Sequence, residues 1–449
     1  MKPSRIPRIL AALAACAAAT APGALRAQDA HVHHHPDTAA YEPVRLAELQ
    51  AVALAANPGL LALRALADAA TARVPESGTL PDPMLMVGAM NLGLPELDAG
   101  MPASMLPSIQ LSQTFPFFGK LGLREEMAEA DGEAARVAVA EAEWRLRARV
   151  AQHFHDLYAL DQNLAVHRRT LELLRDFQSV ARSLYASGDG RQGDVIRADV
   201  EVARMDAEIQ RQEATRAARA ASLNALLDRP GDQEVGTPVP DSLPAGFPAP
   251  DTLLSWAMET RPALEGEAVR LERARKGVEL AEKDFWPDFT VSAQYGRRGG
   301  DQPRSMGGLM IGASIPVHAG SRQRPRVEAA RAMERAAEAG VSGARAAVDA
   351  ELRGVLAELE RARSLMTLYR DEILPAAEAN VASSLASYRV GAVDFSTLVD
   401  AQLAVDRFEQ DYHRLEADYG TAVALLEAAV GRDLPRNEIL PSAETPEVP

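Results

Sequence analysis

The chain is one structural half written twice. Asn57-Pro58 recurs as Arg261-Pro262, and Pro83, opening Pro83-Met84-Leu85-Met86-Val87, recurs as Pro287, opening Pro287-Asp288-Phe289-Thr290-Val291; both pairs stand 204 residues apart. Leu111-Ser112-Gln113-Thr114-Phe115-Pro116 resembles Ala313-Ser314-Ile315-Pro316 at an offset of about 200. Tyr185-Ala186-Ser187-Gly188 corresponds to Tyr388-Arg389-Val390-Gly391 at 203, ungapped through Ala198 and Ala401 to Arg229 and Arg432. A unit this long is no turn of a solenoid, whose repeats run to about 20–45 residues. It is a duplicated half.

Each half carries the same order of elements, the first repeat over 44–228 and the second over 251–432. A helix comes first, 44–79 or 249–284, with Leu46, Leu49, Val52, Ala53 and Ala56 at helical spacing. Segments 84–92 and 106–115, then 288–296 and 306–317, alternate apolar residues with Gly, Ser, Thr and Gln between Pro and Gly breaks, and read as four strands. Each has the length a tilted strand needs to cross a bilayer. Two very long helices follow, 119–186 and 321–387, each extending about 100 Å at ~1.5 Å per residue. Gly188 and Gly391 then reverse the chain into return helices over 194–228 and 394–430. Between the halves, 229–250 is a Pro- and Gly-rich surface linker, and 433–449 is a loose tail. Aromatic residues at 5% and charged residues at 25% fit long amphipathic helices. A net charge of −15 excludes nucleic acid as a partner.

The amino terminus reads as an export signal. Lys2, Arg5 and Arg8 precede an apolar run from Ile9 to Ala21, and cleavage after Ala27 gives a leader over 1–27. The sole cysteine, in Leu13-Ala14-Ala15-Cys16, also fits a lipoprotein signal in which 1–15 is removed and Cys16 is acylated; both readings stand. With one cysteine there is no intrachain disulfide. The following tail, 28–43, holds His31, His33, His34 and His35, a weak and mobile site for Zn, Cu or Ni.

Past the leader no apolar run is long enough for a membrane helix, so the exported chain is periplasmic or reaches a membrane by its four strands. Unpaired backbone amides cost several kcal/mol each in hydrocarbon, roughly, so an open four-stranded sheet is excluded and closure is required. Three chains with four strands each close a barrel of about 12 strands, and their helices pack beneath it as a coiled cylinder. This plan is similar to that of the TolC-like outer membrane factor family across about 44–432. The residues that carry the likeness are Asn57-Pro58, Gln113-Thr114-Phe115-Pro116-Phe117-Phe118-Gly119-Lys120-Leu121, and Tyr388-Arg389-Val390-Gly391 leading to Leu398-Val399-Asp400-Ala401-Gln402.

The resemblance implies a homotrimer in the outer membrane, mainly α with a β-barrel above a periplasmic helical tunnel. Its partners would be outer-membrane lipid, a periplasmic adaptor and an inner-membrane pump of RND type. It places the adaptor contact at the helical turns, on Ser187, Gly188, Arg389, Val390, Gly391 and Ala392. It places an acidic constriction at Asp400, with Asp394 and Asp194 beside it and Asp189 and Asp199 nearby; a threefold axis turns one carboxylate into three. Met84, Met86, Met90, Met101 and Met105 supply soft thioethers, or simply fill apolar surface on lipid-facing strands. With the histidines and the Phe115 to Lys120 stretch, they lean toward the heavy-metal-cation branch, ahead of drug efflux or type I secretion. His153 and His155 stand two apart on a helix and share no face. The chain has no phosphate loop, nucleophile elbow or HExxH motif, so no enzyme activity and no cofactor are expected. The rival class is a periplasmic coiled-coil adaptor or structural envelope protein, which would form no pore.

Overall fold

The computed structural model describes residues 42–90, 105–241, 244, 246–298 and 304–435. The leader with Cys16, the four tail histidines, Met101 and the chain after 435 lie outside the described residues. The first half runs β1 (Pro43–Val44), α1 (Leu46–Ala56), α2 (Pro58–Ala72), α3 (Val74–Gly78), β2 (Met84–Met90), β3 (Met105–Phe115), α4 (Lys120–Ser187) and α5 (Gln192–Leu226). After β4 (Thr237–Pro238), the second half runs α6 (Pro250–Thr260), α7 (Pro262–Lys283), β5 (Phe289–Arg298), β6 (Ser305–Ala313), α8 (Gln323–Leu368), a π-helical turn (Tyr369–Ile373), α9 (Leu374–Arg389) and α10 (Phe395–Val430).

The single helix expected to open each half is broken, and proline is the reason. A residue before proline is pushed out of the helical region; Asn57 sits at ψ 119° and Arg261 at ψ 120°. Pro58 and Pro262, lacking an amide hydrogen, then start new helices at the position where none is needed. A second proline acts differently inside the other rod. Pro375 cannot bond back into the helix, and the backbone widens to a π-turn just before it, but Leu368, Tyr369, Ile373 and Leu374 all keep helical dihedrals, so the rod expected over 321–387 runs on through this bulge. The first-half rod has no such proline and runs 68 residues unbroken, about 100 Å.

No short helix could cover a rod of that length. Helix α5 packs on one part of α4, and α1 to α3 pack on the rest. Where the two meet end to end, Asn57 serves both: its Oδ1 accepts from the Leu60 amide at 3.0 Å and its Nδ2 donates to the Leu226 carbonyl at 3.0 Å. It thus caps the start of α2 and the end of α5, satisfying groups that helix ends leave open. In the second half Arg261 takes that place, donating to the Ala429 carbonyl at 3.1 Å, while Thr260 Oγ1 donates to the Val430 carbonyl at 2.8 Å. Gly431 closes this joint with φ 78°; a Cβ there would lie 2.9 Å from the Thr260 carbonyl oxygen.

The segment read as a surface linker is tied down. Thr237–Pro238 pairs in parallel with Pro43–Val44, Val235 enters the first-half core, and Asn224 Nδ2 holds the Gln233 carbonyl at 2.7 Å. Among the described residues no single helix is long and apolar enough to cross a membrane; the bent pair of α1 with α2 and α3 passes by length and composition, but Leu49, Ala53 and Leu60 are buried against α4 and α5.

The two halves join where α4 packs on α10. His155 of α4 is fully buried there, and a Cβ on Gly420 of α10 would fall inside its ring, 2.3 Å from Cε1. Burial lowers the His155 pKa from 6.5 to about 4. Between those values the unfolded chain binds a proton that the folded chain refuses, so stability falls as pH drops through that window, by about 3 kcal/mol in all. Gly420→Ala is expected to cost about 1–3 kcal/mol by overpacking. His155→Gln removes the titrating ring and should flatten the pH slope of the denaturation midpoint over the same window.

Candidate functional site

The four strands expected from sequence form one antiparallel sheet in the order β2-β3-β5-β6, with β2 and β6 as open edges. The last strand stops at Ala313 and not at 317: the Ser314 amide still bonds the Asp288 carbonyl in register at 2.8 Å, but Pro316 then has no amide hydrogen to carry the ladder on. Register assigns every side chain to a face. One face carries Leu85, Leu111, Ala293 and Leu309 in one row and Val87, Ile109 and Tyr295 in the next. The other carries Met84, Ser112, Ser292 and Met310, then Met86, Gln110, Gln294 and Gly308, then Gly88, Ser108, Gly296 and Met306.

The exposure of these faces is the reverse of a water-soluble sheet. Leu309 and Ile311 are 71% and 74% exposed, whereas Ser108 and Ser292 are 7% exposed. An apolar face outside and a polar face inside is the arrangement of a barrel wall with lipid on one side and water on the other. Aromatic rings collect where the sheet meets the rods: Phe115 pairs with Phe289, and Phe118, Phe285 and Trp286 are exposed beside them. Such rings suit the interfacial girdle of a barrel.

The stretch from Phe115 to Lys120 is the hinge of that junction. Phe117 stacks on Trp286 with centroids 5.1 Å apart, and Gly119 turns the chain at φ 80° with Lys283 Nζ 3.0 Å from where a Cβ would be. Lys120 is buried and reaches Asp288 at 2.9 Å and Asp284 at 3.3 Å. Partial burial pushes the Asp288 carboxyl up, but hydrogen bonds from Lys120 and from the Phe117 amide outweigh it and hold its pKa below the usual carboxylate range. The start of α4 is thereby locked to the start of β5, first half to second.

At the far end of the rods, both turns use one hydrogen-bond pattern. Gly188 and Gly391 sit at φ 88° and 73°, and the next amides, of Asp189 and Ala392, bond carbonyls five residues back at Leu184 and Ser387, each at 2.9 Å. Ser187, Gly188, Arg389, Val390, Gly391 and Ala392 are all exposed, and Val390 is the most exposed of the apolar side chains among them at 79%. Behind the turns the hairpins share one core, in which Leu174, Phe177 and Ala198 pack with Tyr388, Phe395, Leu398 and Val399.

The structure pairs the expected carboxylates with cations. Asp394 meets Arg191 at 3.0 Å and Asp400 meets Arg197 at 3.4 Å, both across the seam between the two hairpins, while Asp199 meets Arg182 at 2.9 Å within the first. Asp189 accepts from Ser187 Oγ at 3.0 Å. The Tyr388 hydroxyl is buried without a hydrogen-bond partner among the described residues, and that burial, with the Asp194 carboxylate in its neighbourhood, pushes its pKa up to about 12. Arg191, Arg197 and Tyr388 are the residues that sequence reasoning missed, although the 203-residue offset that aligns Arg191 with Asp394 and Arg197 with Asp400 was in view. His153 and His155 are not brought together with other ligands; among the described residues no group of three His, Cys, Asp or Glu side chains could hold a metal ion.

Comparison with known proteins agrees with this geometry. The model of the outer membrane efflux protein family matches residues 49–229 and 253–432. No curated protein sequence matches the chain. Among solved structures, the outer membrane protein VceC of Vibrio cholerae is 19% identical with a TM-score of 0.73, covering 86% of this chain and 96% of its own. The outer membrane channel MtrE of Neisseria gonorrhoeae is 17% identical with a TM-score of 0.69, covering 87% and 90%. CmeC of Campylobacter jejuni, also an outer membrane channel, is 13% identical with a TM-score of 0.67, covering 88% and 87%. At these identities the likeness is one of fold.

The junction makes a direct test. Lys120→Met leaves Asp288 without its cation, while Asp284 keeps Arg326 at 3.1 Å, and is expected to cost about 2–3 kcal/mol, read as a lower midpoint in thermal denaturation. The Asp288 contribution is complete above the ordinary carboxylate value of 3.8 and is lost as pH falls below it, so the deficit of the variant should shrink in strong acid.

Proposed function

Because the chain belongs to the outer membrane efflux protein family, we propose that three copies pair β6 of one with β2 of the next into a barrel of about 12 strands, above a tunnel built from their rods. The chain is a channel subunit of an efflux system in the outer membrane, and not an enzyme. The observation that carries the trimeric reading is the inside-out sheet with two open edges: no single chain satisfies those edges in lipid.

The duplicated halves supply independent support. In the second half Tyr388 and Val399 are 5% and 0% exposed, covered by the first hairpin. Their counterparts 203 residues earlier, Tyr185 and Ile196, are 49% and 55% exposed. A neighbouring copy that repeats the internal seam covers them.

The tunnel reaches into the periplasm, and its exposed turns meet an adaptor that links it to an RND-type pump. Arg191 with Asp394 and Arg197 with Asp400 hold the two hairpins together at the mouth. Exposed ion pairs contribute only about 0–1 kcal/mol each, which suits ties that partner contact must undo. Separation leaves Asp394 and Asp400 facing the passage, where carboxylates favour cations. The cargo we assign is heavy-metal cations, on the tail histidines, the strand methionines and this acidic mouth. The leader over 1–27, or acylation at Cys16, delivers the chain to its membrane.

In planar lipid bilayers the purified protein is expected to conduct; absence of any channel would remove the reading. Asp394→Ala combined with Asp400→Ala should raise the mean conductance several-fold by loosening the mouth, and unchanged conductance would show that these contacts are no gate. For cargo, a deletion strain should lose tolerance to copper, zinc, cobalt or silver while keeping its drug tolerance.

A further inference from the structure

Four of the strand methionines do not share a face with the leucines. Register puts Met84 in one row with Ser112, Ser292 and Met310, puts Met86 in the next with Gln110 and Gln294, and puts Met306 in a third with Ser108. All three rows lie on the face opposite Leu85, Leu111 and Leu309. The sulfurs of Met84 and Met86 therefore stand on the polar face, against the expectation that they fill lipid-facing surface, and those of Met306 and Met310 stand on it with them.

Their distribution across that face is uneven. The central strands β3 and β5 present Ser, Gln, Thr and Gly to it, while Met84 and Met86 lie on β2 and Met306 and Met310 on β6, the two edge strands. When copies join edge to edge, strands about 4.8 Å apart bring β6 of one beside β2 of the next. Directly opposed side chains then have Cβ atoms about 5 Å apart, within reach of long flexible thioethers. Met306 and Met310 of one copy thus share a water-facing strip with Met84 and Met86 of its neighbour. Thioether sulfur is a soft, uncharged ligand that selects monovalent coinage-metal ions over harder divalent ones.

We propose that each junction between copies carries a ladder of methionines on the inner wall of the barrel that binds Cu(I) or Ag(I) from the passage. This inference rests on the multi-chain barrel described above and narrows its cargo to soft monovalent cations. Several weak sites at different heights suit passage better than one tight site, since an ion must leave as readily as it enters.

The test uses the full-length protein in lipid nanodiscs and planar bilayers, with Ag(I) as the redox-stable probe. The wild type and a variant combining Met84→Leu, Met86→Leu, Met306→Leu and Met310→Leu are dialysed against silver nitrate, and bound silver is measured by mass spectrometry. The expected result is loss of the methionine-dependent silver in the variant, with equal channel conductance in silver-free buffer. Equal silver on both proteins would overturn the ladder while leaving the channel intact. A wild type that forms no channel would instead overturn the barrel beneath it. A second measurement covers the case of a variant that fails to assemble: Met86→Cys should react with a charged, membrane-impermeant thiol reagent and lose conductance, while Val87→Cys should not. Reaction at 87 and none at 86 would show that the faces are assigned the wrong way round.

Discussion

A backbone amide in hydrocarbon has no water to turn to, and this one fact organises the molecule. Strand β2 and strand β6 each present a row of unpaired donors and acceptors along an edge of the sheet. In water such an edge is a hazard of aggregation; in lipid it is a joint waiting for its other half. The side chains say which solvent was intended. Leucine and isoleucine cover the face that a soluble sheet would bury, and serine, threonine and glutamine line the face that it would expose. A four-stranded sheet with an exposed apolar face and two open edges would be unstable as an isolated unit in water.

The rods face a different problem with a related solution. A helix of 68 residues gains little from propensity and must be held along its whole length by packing. The chain meets this by laying two shorter helices end to end on each long one, and the joints are sealed by side chains that satisfy both helix ends at once. Around the joints the cores are dry and deep, with Phe154, Leu157 and Leu223 wholly buried. Toward the tips the buried core persists, but what ties hairpin to hairpin at the surface is a set of exposed ion pairs. Burial is thus concentrated around the joints, and exposed ion pairs at the tips.

The sequence made the plan of the halves legible, because turns, glycines and prolines recur at nearly constant offsets. It hid what depends on pairing between distant segments. Asn57 and Arg261 look unrelated as residues, yet at an offset of 204 both donate to the last carbonyls of a return helix. The job is repeated while the side chain is not, so residue identity was the wrong thing to compare. The facing of Met84 and Met310 was equally hidden: alternation fixes which residues share a face within one strand, but only the register between β2, β3, β5 and β6 says that the sulfurs join the serines. Lys120 read as part of a landmark motif, and its partners Asp284 and Asp288 lie more than 160 residues away.

Duplication also sets the symmetry of the mouth. If each copy contributes two equivalent hairpins, three copies place six positions on every ring, but the occupants alternate. Position 191 is arginine where position 394 is aspartate, and position 197 is arginine where position 400 is aspartate. Closed rings at these levels carry alternating charge, so each cation lies between two carboxylates and the net field is small. The hairpins are unequal in another way. Tyr388 is 5% exposed beneath the first hairpin, whereas Tyr185, its counterpart 203 residues earlier, is 49% exposed. The two hairpins are therefore equivalent in plan but unequal in charge and in burial, which is where a duplicated chain departs from its own symmetry.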